Sequence, residues 1–257
     1  MAGKIATGTD IWVEEGGSGG PTLMLLHGLG CNADAWEGMK PLVREQWPGR
    51  WLIPDLRGHG RSGHRAPYSY AGHAADMAAL LKQHEDVVLV GHSMGGVIAI
   101  ALASGWFGVK VRQVVAFGMK IRWVPDEVTK LHALAQAPVR YFASEAEAVD
   151  RYLKVSGLIG LVDPASPAAR SGIREEQGKF RLASDPGINA AAGPDVAAFV
   201  TASKAPVRMA AGARDPMVTA ADMLPFDPKP EIFEGVGHNI HVERPAELWQ
   251  FVRRTIA

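Results

Sequence analysis

The sequence predicts an α/β fold, a three-layer domain whose central sheet is mainly parallel and flanked by helices. Short apolar runs of strand length alternate with helix-like stretches. Most of those runs are continuous rather than alternating, which suits strands covered on both faces. A glycine-flanked turn joins one such run directly to a helix-like stretch. The length of 257 residues suits one large domain carrying an insertion.

In order along the chain, residues 4–19 read as an N-terminal pair of strands closed by the turn-rich Gly16-Gly17-Ser18-Gly19-Gly20. The core strands are expected at 22–26, 51–53, 87–90, 114–117, 207–210 and 231–233, and the helices at 34–47, 71–84, 94–105 and 244–256. The last helix places Leu248, Phe251 and Val252 on one stripe, with Arg253 and Arg254 near its C-terminus, where cations offset the partial negative charge of the carbonyl end. Residues 120–204 break the alternation and hold no continuous apolar strand run. Helix starts do occur there, as a capping box at Ser144-Glu145-Ala146-Glu147 and an N-cap followed by proline at Ser166-Pro167. The expected organisation is therefore a core of residues 1–119 and 205–257 with a helical insertion at 120–204.

Composition excludes several function classes. Apolar residues make up 47% and charged residues 21%, which rules out a disordered chain. Lys plus Arg and Asp plus Glu are 27 each, so no bulk field draws the protein to nucleic acid or to anionic lipid. No apolar run approaches the ~20 residues that span a bilayer, and no signal peptide is expected. The single cysteine, Cys31, excludes an internal disulfide and reads as a small packed residue. A cytoplasmic protein is expected.

The chemistry centres on the run from Val87 to Gly96, where Ser93 lies at a strand-to-helix turn with Gly91 and Gly95 two residues either side. The turn aims the hydroxyl away from the sheet and beside a helix N-terminus, and the strand and helix then pass too closely for larger side chains. A serine hydroxyl needs a base. His238 follows the last expected strand and reaches the same carboxyl edge of the sheet, whereas His241 lies nearer the next helix. The histidine needs an acid that fixes its tautomer. Asp215 follows the preceding strand, while Asp222 and Asp227 lie further along. The turn Leu25-Leu26-His27-Gly28-Leu29-Gly30 can offer the Leu29 N–H as one oxyanion donor, with the Met94 N–H as the other.

These residues resemble the α/β-hydrolase superfamily and its esterase-like branch, which includes carboxylesterases, enol-lactonases and cofactor-free C–C hydrolases. The stretch Pro54-Asp55-Leu56-Arg57-Gly58-His59-Gly60-Arg61-Ser62 is similar to a family loop that gives structural support. The resemblance implies that Ser93, Asp215 and His238 form a catalytic triad and that residues 120–204 form a lid. It implies a serine hydrolase of small to medium carboxylic esters acting through an acyl-enzyme. The alternatives are C–C bond or lactone hydrolysis by the same triad and a slowly catalytic ligand receptor on the same fold. Serine rather than aspartate at position 93 argues against chemistry that proceeds through an aspartyl ester.

Position suggests a substrate pocket of His27, Gly28, Met119, Ile121, Trp123, Met217, Val218 and Ile240, an apolar set that favours a small-molecule ester over a highly charged substrate. No metal or organic cofactor is expected, because no helix-borne H-E-x-x-H pattern or carboxylate cluster accompanies the histidines.

Overall fold

The computed structural model describes residues 1–6 and 8–256; Thr7 and Ala257, which fall inside the expected strand pair and core, lie outside the described residues. The strands are β1 (Ala2–Ala6), β2 (Asp10–Gly16), β3 (Thr22–Leu26), β4 (Trp51–Pro54), β5 (Val87–His92), β6 (Val111–Phe117), β7 (Tyr141–Phe142), β8 (Ile173–Glu176), β9 (Lys179–Leu182), β10 (Val207–Gly212) and β11 (Glu231–Phe233). Eight of them form the central sheet in the order β1-β2-β4-β3-β5-β6-β10-β11. Only β2 pairs antiparallel, with β1 and β4; every other pairing in that sheet is parallel.

The continuous apolar runs have the cause inferred for them: β3, β4 and β5 are buried at every residue. On one face, Leu23, Leu25, Val88 and Val90 pack with Trp36, Met39 and Val43 and with the stripe Leu248, Phe251 and Val252. Those residues come from a short 3-10 turn at Ala33–Trp36, helix α1 (Lys40–Gln46) with Met39 as its N-cap, and the C-terminal helix, so the single expected helix at 34–47 is two pieces. On the other face, α2 (Tyr70–Leu80) packs against α3 (Met94–Ala103). The N-terminal strand pair is present, but it turns near Gly8; the glycine run at 16–20 instead joins β2 to β3.

The inserted segment differs from the expectation in two respects. Besides α4 (Pro125–Ala135), α5 (Glu145–Val155) and α6 (Pro167–Arg170), it contains a three-stranded antiparallel sheet ordered β7-β9-β8. These strands are short and mixed in polarity: β8 reads Ile-Arg-Glu-Glu and β9 Lys-Phe-Arg-Leu. They therefore lack the apolar continuity by which the core strands are recognised. The last helix of the segment, α7 (Val196–Ala202), packs on α3 with Val196 and Val200 in the core cluster, so it belongs with the helical layer of the core. The remaining helices are α8 (Ala220–Met223), α9 (Ile240–Glu243) and α10 (Pro245–Ile256). The segment also holds an apolar cluster of its own around Val149, Tyr152, Leu153, Leu158 and Ala169.

The 54–62 loop is a hydrogen-bonded post under the site. Asp55 is fully buried and accepts from Ala33 N–H at 2.7 Å and from Arg61 N–H and Nε at 2.7 Å. The Ser62 hydroxyl donates to Asp55 O at 2.6 Å and accepts from Trp12 N–H at 2.9 Å, tying the loop to β2. No helix among the described residues is long and apolar enough to cross a membrane.

Candidate active site

Ser93 caps the N-terminus of α3 with φ 51° and ψ −116°, a region that non-glycine residues adopt only under strain. The strain is held by close approach of the flanking backbone. A Cβ on Gly91 would overlap the Gly95 carbonyl, and one on Gly95 would overlap the Leu26 carbonyl. Glycine at both positions is what allows the strand and helix to meet at this angle. The Ser93 N–H is bonded to Phe117 O at 2.9 Å, anchoring the turn to β6.

Asp215 and His238 arrive from the ends of β10 and β11, which lie side by side in register. Asp215 Oδ2 accepts from His238 Nδ1–H at 2.9 Å, and Asp215 Oδ1 accepts from Met217 N–H at 2.8 Å. That pairing leaves Nε2 of His238 free of the proton, the tautomer a general base requires. The other candidates have separate work. Asp222 accepts from Thr219 N–H at 3.0 Å as the cap of α8, and buried Asp227 accepts from Met209 N–H at 2.8 Å. His241 is fully buried between Trp36, Phe117 and His92 with neither ring nitrogen bonded, and burial pushes its pKa down to about 3.

Ser93 and His238 line one cavity of about 360 Å³ together with Gly28, Leu29 and Met94. Among the described residues, no hydrogen bond joins the Ser93 hydroxyl to His238, although both line the same cavity. The Leu29 N–H has no hydrogen-bond acceptor among the described residues. The Met94 N–H belongs to the first turn of α3, where helical partners are missing. Both donors therefore remain free beside the cavity. Gly28 must be small here, because a Cβ would come within 2.7 Å of His92 Nδ1 and 3.3 Å of Ser93 Cβ.

Of the expected pocket residues, Gly28, Trp123 and Met217 line the cavity. His27, Met119, Ile121, Val218 and Ile240 do not; each is buried behind the wall. His27 pins two loops, accepting at Nε2 from Leu56 N–H at 2.9 Å and donating from Nδ1 to Gly28 O at 2.8 Å. Met119 and Ile121 belong to the core cluster because the chain leaving β6 runs inward before it turns out to Trp123. Val218 joins that same cluster, and Ile240 joins the cluster on the opposite face of the sheet.

The sequence reading missed His92, whose Nε2–H donates to His238 O at 3.1 Å and whose ring lies 4.6 Å from that of His238. Its place next to Ser93 is the available signal. It also missed Tyr70 and Val97 from the core and Lys154, Val155, Gly157 and Ala191 from the insertion, for which no local pattern exists. Asn239 bonds the insertion from beside His238, donating Nδ2–H to Gly157 O at 3.0 Å. Cys31 reaches the cavity wall, but burial pushes its thiol up to about 12, so no thiolate is available near neutral pH. Among the described residues no three His, Cys, Asp or Glu side chains converge to hold a metal ion.

Over 87 residues the chain is 40% identical to an uncharacterized protein of Mycobacterium tuberculosis, covering 33% of this chain and 25% of that one. It is 38% identical over 87 residues to the pimeloyl-[acyl-carrier protein] methyl ester esterase of Edwardsiella ictaluri, covering 34% of this chain and 32% of that protein. These matches thus span about a quarter to a third of the length of the curated relatives. Among solved structures, the thioesterase domain from the curacin biosynthetic pathway is similar over 98% of both chains, with a TM-score of 0.80 and 22% identity, which is a likeness of fold. The model of the alpha/beta hydrolase family matches residues 23–251, nearly the whole chain, and the protein belongs to that family.

Proposed function

We propose that the protein hydrolyses small to medium carboxylic esters through a Ser93 acyl-enzyme. The reading rests on one observation above all: Asp215 holds His238 at 2.9 Å in the cavity that the strained Ser93 also lines. A relative named as a methyl ester esterase supports the choice of an ester bond.

In the first half-reaction, His238 Nε2 takes the Ser93 proton as Oγ attacks the ester carbonyl. The developing oxyanion is held by the Leu29 and Met94 N–H groups, each such donor being worth roughly 10²–10³ in rate. Collapse breaks the ester C–O bond, and His238 returns the proton to the departing alcohol. Water then attacks the acyl-enzyme with His238 again as base, releasing the carboxylic acid and restoring the hydroxyl of Ser93. Asp215 orients the ring of His238 and stabilises the imidazolium in both halves.

The test is turnover of p-nitrophenyl acetate and butyrate by the wild-type protein and by Ser93→Ala. The expected result is hydrolysis by the wild type and a loss of at least about 10⁴ in kcat with the variant. Equal activity in the two proteins overturns the assignment of Ser93. Failure of the wild type on esters, with cleavage of a vinylogous diketone, moves the reading to C–C hydrolysis; ligand stabilisation without any turnover moves it to a receptor.

A further inference from the structure

A second cavity of about 410 Å³ adjoins the first, and the two share Leu29, Leu131 and Val155 as common wall. Its charges are one-sided. Arg140, Arg151 and Arg181 line it, against the single carboxylate of Asp185. The catalytic cavity adds Lys120 and Lys154 and no carboxylate at all. Across both chambers five cations therefore face one acid, in a chain whose formal net charge is zero.

Pairing inside the protein accounts for only part of this excess. Lys120 is bridged to Glu127 at 2.8 Å, and Arg181 reaches Glu176 at 3.4 Å. Asp185 is committed to the Tyr68 hydroxyl at 3.0 Å and to Gly187 N–H at 2.8 Å. Three cations remain. The side chains of Arg151, on α5, and of Lys154 have no hydrogen-bond or ion-pair partner among the described residues; that of Arg140 has only the Phe142 ring, 4.9 Å away. Arginine stays charged at any relevant pH, and its planar fork suits two oxygens of one anionic group. Leu29, whose N–H has no acceptor among the described residues, belongs to the wall of both cavities and so links the Ser93 cavity to the arginine chamber.

We infer that the substrate is an ester with one arm that runs from Ser93 past Leu29, Leu131 and Val155 and ends in an anionic group, a carboxylate or a phosphate, held by Arg151 and Arg140. This specificity deepens the ester-hydrolase reading and rests on it. It departs from the expectation that favoured an ester over a highly charged substrate, which rested on the apolar set around Met119, Ile121, Trp123, Met217, Val218 and Ile240.

The experiment compares p-nitrophenyl octanoate with the mono-p-nitrophenyl ester of suberic acid, which has the same chain length and a terminal carboxylate. Wild-type protein is expected to favour the anionic ester in kcat/KM, and salt is expected to narrow the preference. Arg151→Gln is expected to lower the anionic-to-neutral ratio by roughly ten- to a hundred-fold, the range for losing a charged hydrogen-bond pair. Arg140→Gln, at an exposed position, gives a second reading if Arg151→Gln folds poorly, and Arg151→Lys should restore part of the ratio. Calorimetric binding of suberate and of octyl phosphate to Ser93→Ala separates the two sources of charge, the tighter ligand naming the group. An unchanged ratio in both glutamine variants, or binding of neither anion, overturns the inference while leaving ester turnover intact. Loss of all ester turnover in the wild type, with anion binding retained, would instead remove the ester reading and keep the anion chamber.

Discussion

The carboxyl edge of the sheet and the inserted segment wall the same cavity in opposite ways. At the sheet edge, α3 is buried at all ten of its residues and is preceded by Ser93, the proposed nucleophile, on a strained turn. In the insertion, α4 has no buried residue, and α5 buries only Ala148, Val149, Tyr152 and Leu153. A group that must hold a reacting geometry needs neighbours that cannot give way, and tight packing supplies them. A wall that selects a substrate needs shape and charge, which a thin layer over its own small cluster supplies. On the proposed function the difference separates chemistry from selectivity, and it makes different predictions for the two regions.

The largest effect is expected at the edge. Asp215→Asn keeps the shape but offers His238 the wrong hydrogen-bonding partner, so kcat for a simple ester should fall by roughly 10⁴. The melting temperature should change little. Retention of more than a tenth of the wild-type kcat would break the claim that packing at this edge serves the triad.

A second expectation concerns acid. Burial pushes the pKa of His27, His73 and His241 down to about 3, and burial also lowers those of His59 and His92. The unfolded chain protonates such residues near 6.5, so between about 6.5 and 3 it binds more protons than the folded chain, and stability rises with pH. Stability is therefore complete above about pH 6.5 and declines as the pH falls, by roughly 1 kcal/mol per unit for each histidine. Thermal melts from pH 7 to 5 should show a steep drop, shallower in His241→Phe, whose ring fits the aromatic surroundings without a titrating nitrogen. A flat profile over that window would contradict neutral burial of the core histidines.

The smallest effect belongs to the insertion. Trp123 is half-buried on the cavity wall, and its Nε1–H has no hydrogen-bond partner among the described residues. Trp123→Ala should cost roughly 1 kcal/mol of stability or less and shift kcat/KM between short and bulky esters by about ten-fold, toward the bulky ones. A collapse of activity on all esters would place Trp123 with the edge rather than with the selective wall.

The same contrast explains what could be read in advance. The Gly91-Ser93-Gly95 spacing states a steric requirement within five residues, and the loops bearing Asp215 and His238 follow directly from apolar strands. His241 was separable from His238 only by distance to the next helix; in three dimensions the separation is burial against Trp36 and Phe117. Met119 and Val218 show the limit of arguing from neighbourhood, since residues adjacent to a site in sequence can face the core instead.

By itself the sequence determined the parallel core, the strand-to-helix turn at Ser93 and the placing of Ser93, Asp215 and His238 at strand ends, because each depends on local chain geometry and on strands of recognisable polarity. Tertiary structure alone decided the cavity wall, the short polar strands of the insertion and the juxtaposition of Arg140 and Arg151 with the Leu29 turn. Those features arise where segments far apart in the chain pack together, and the periodicity of any one segment carries no record of its distant neighbours.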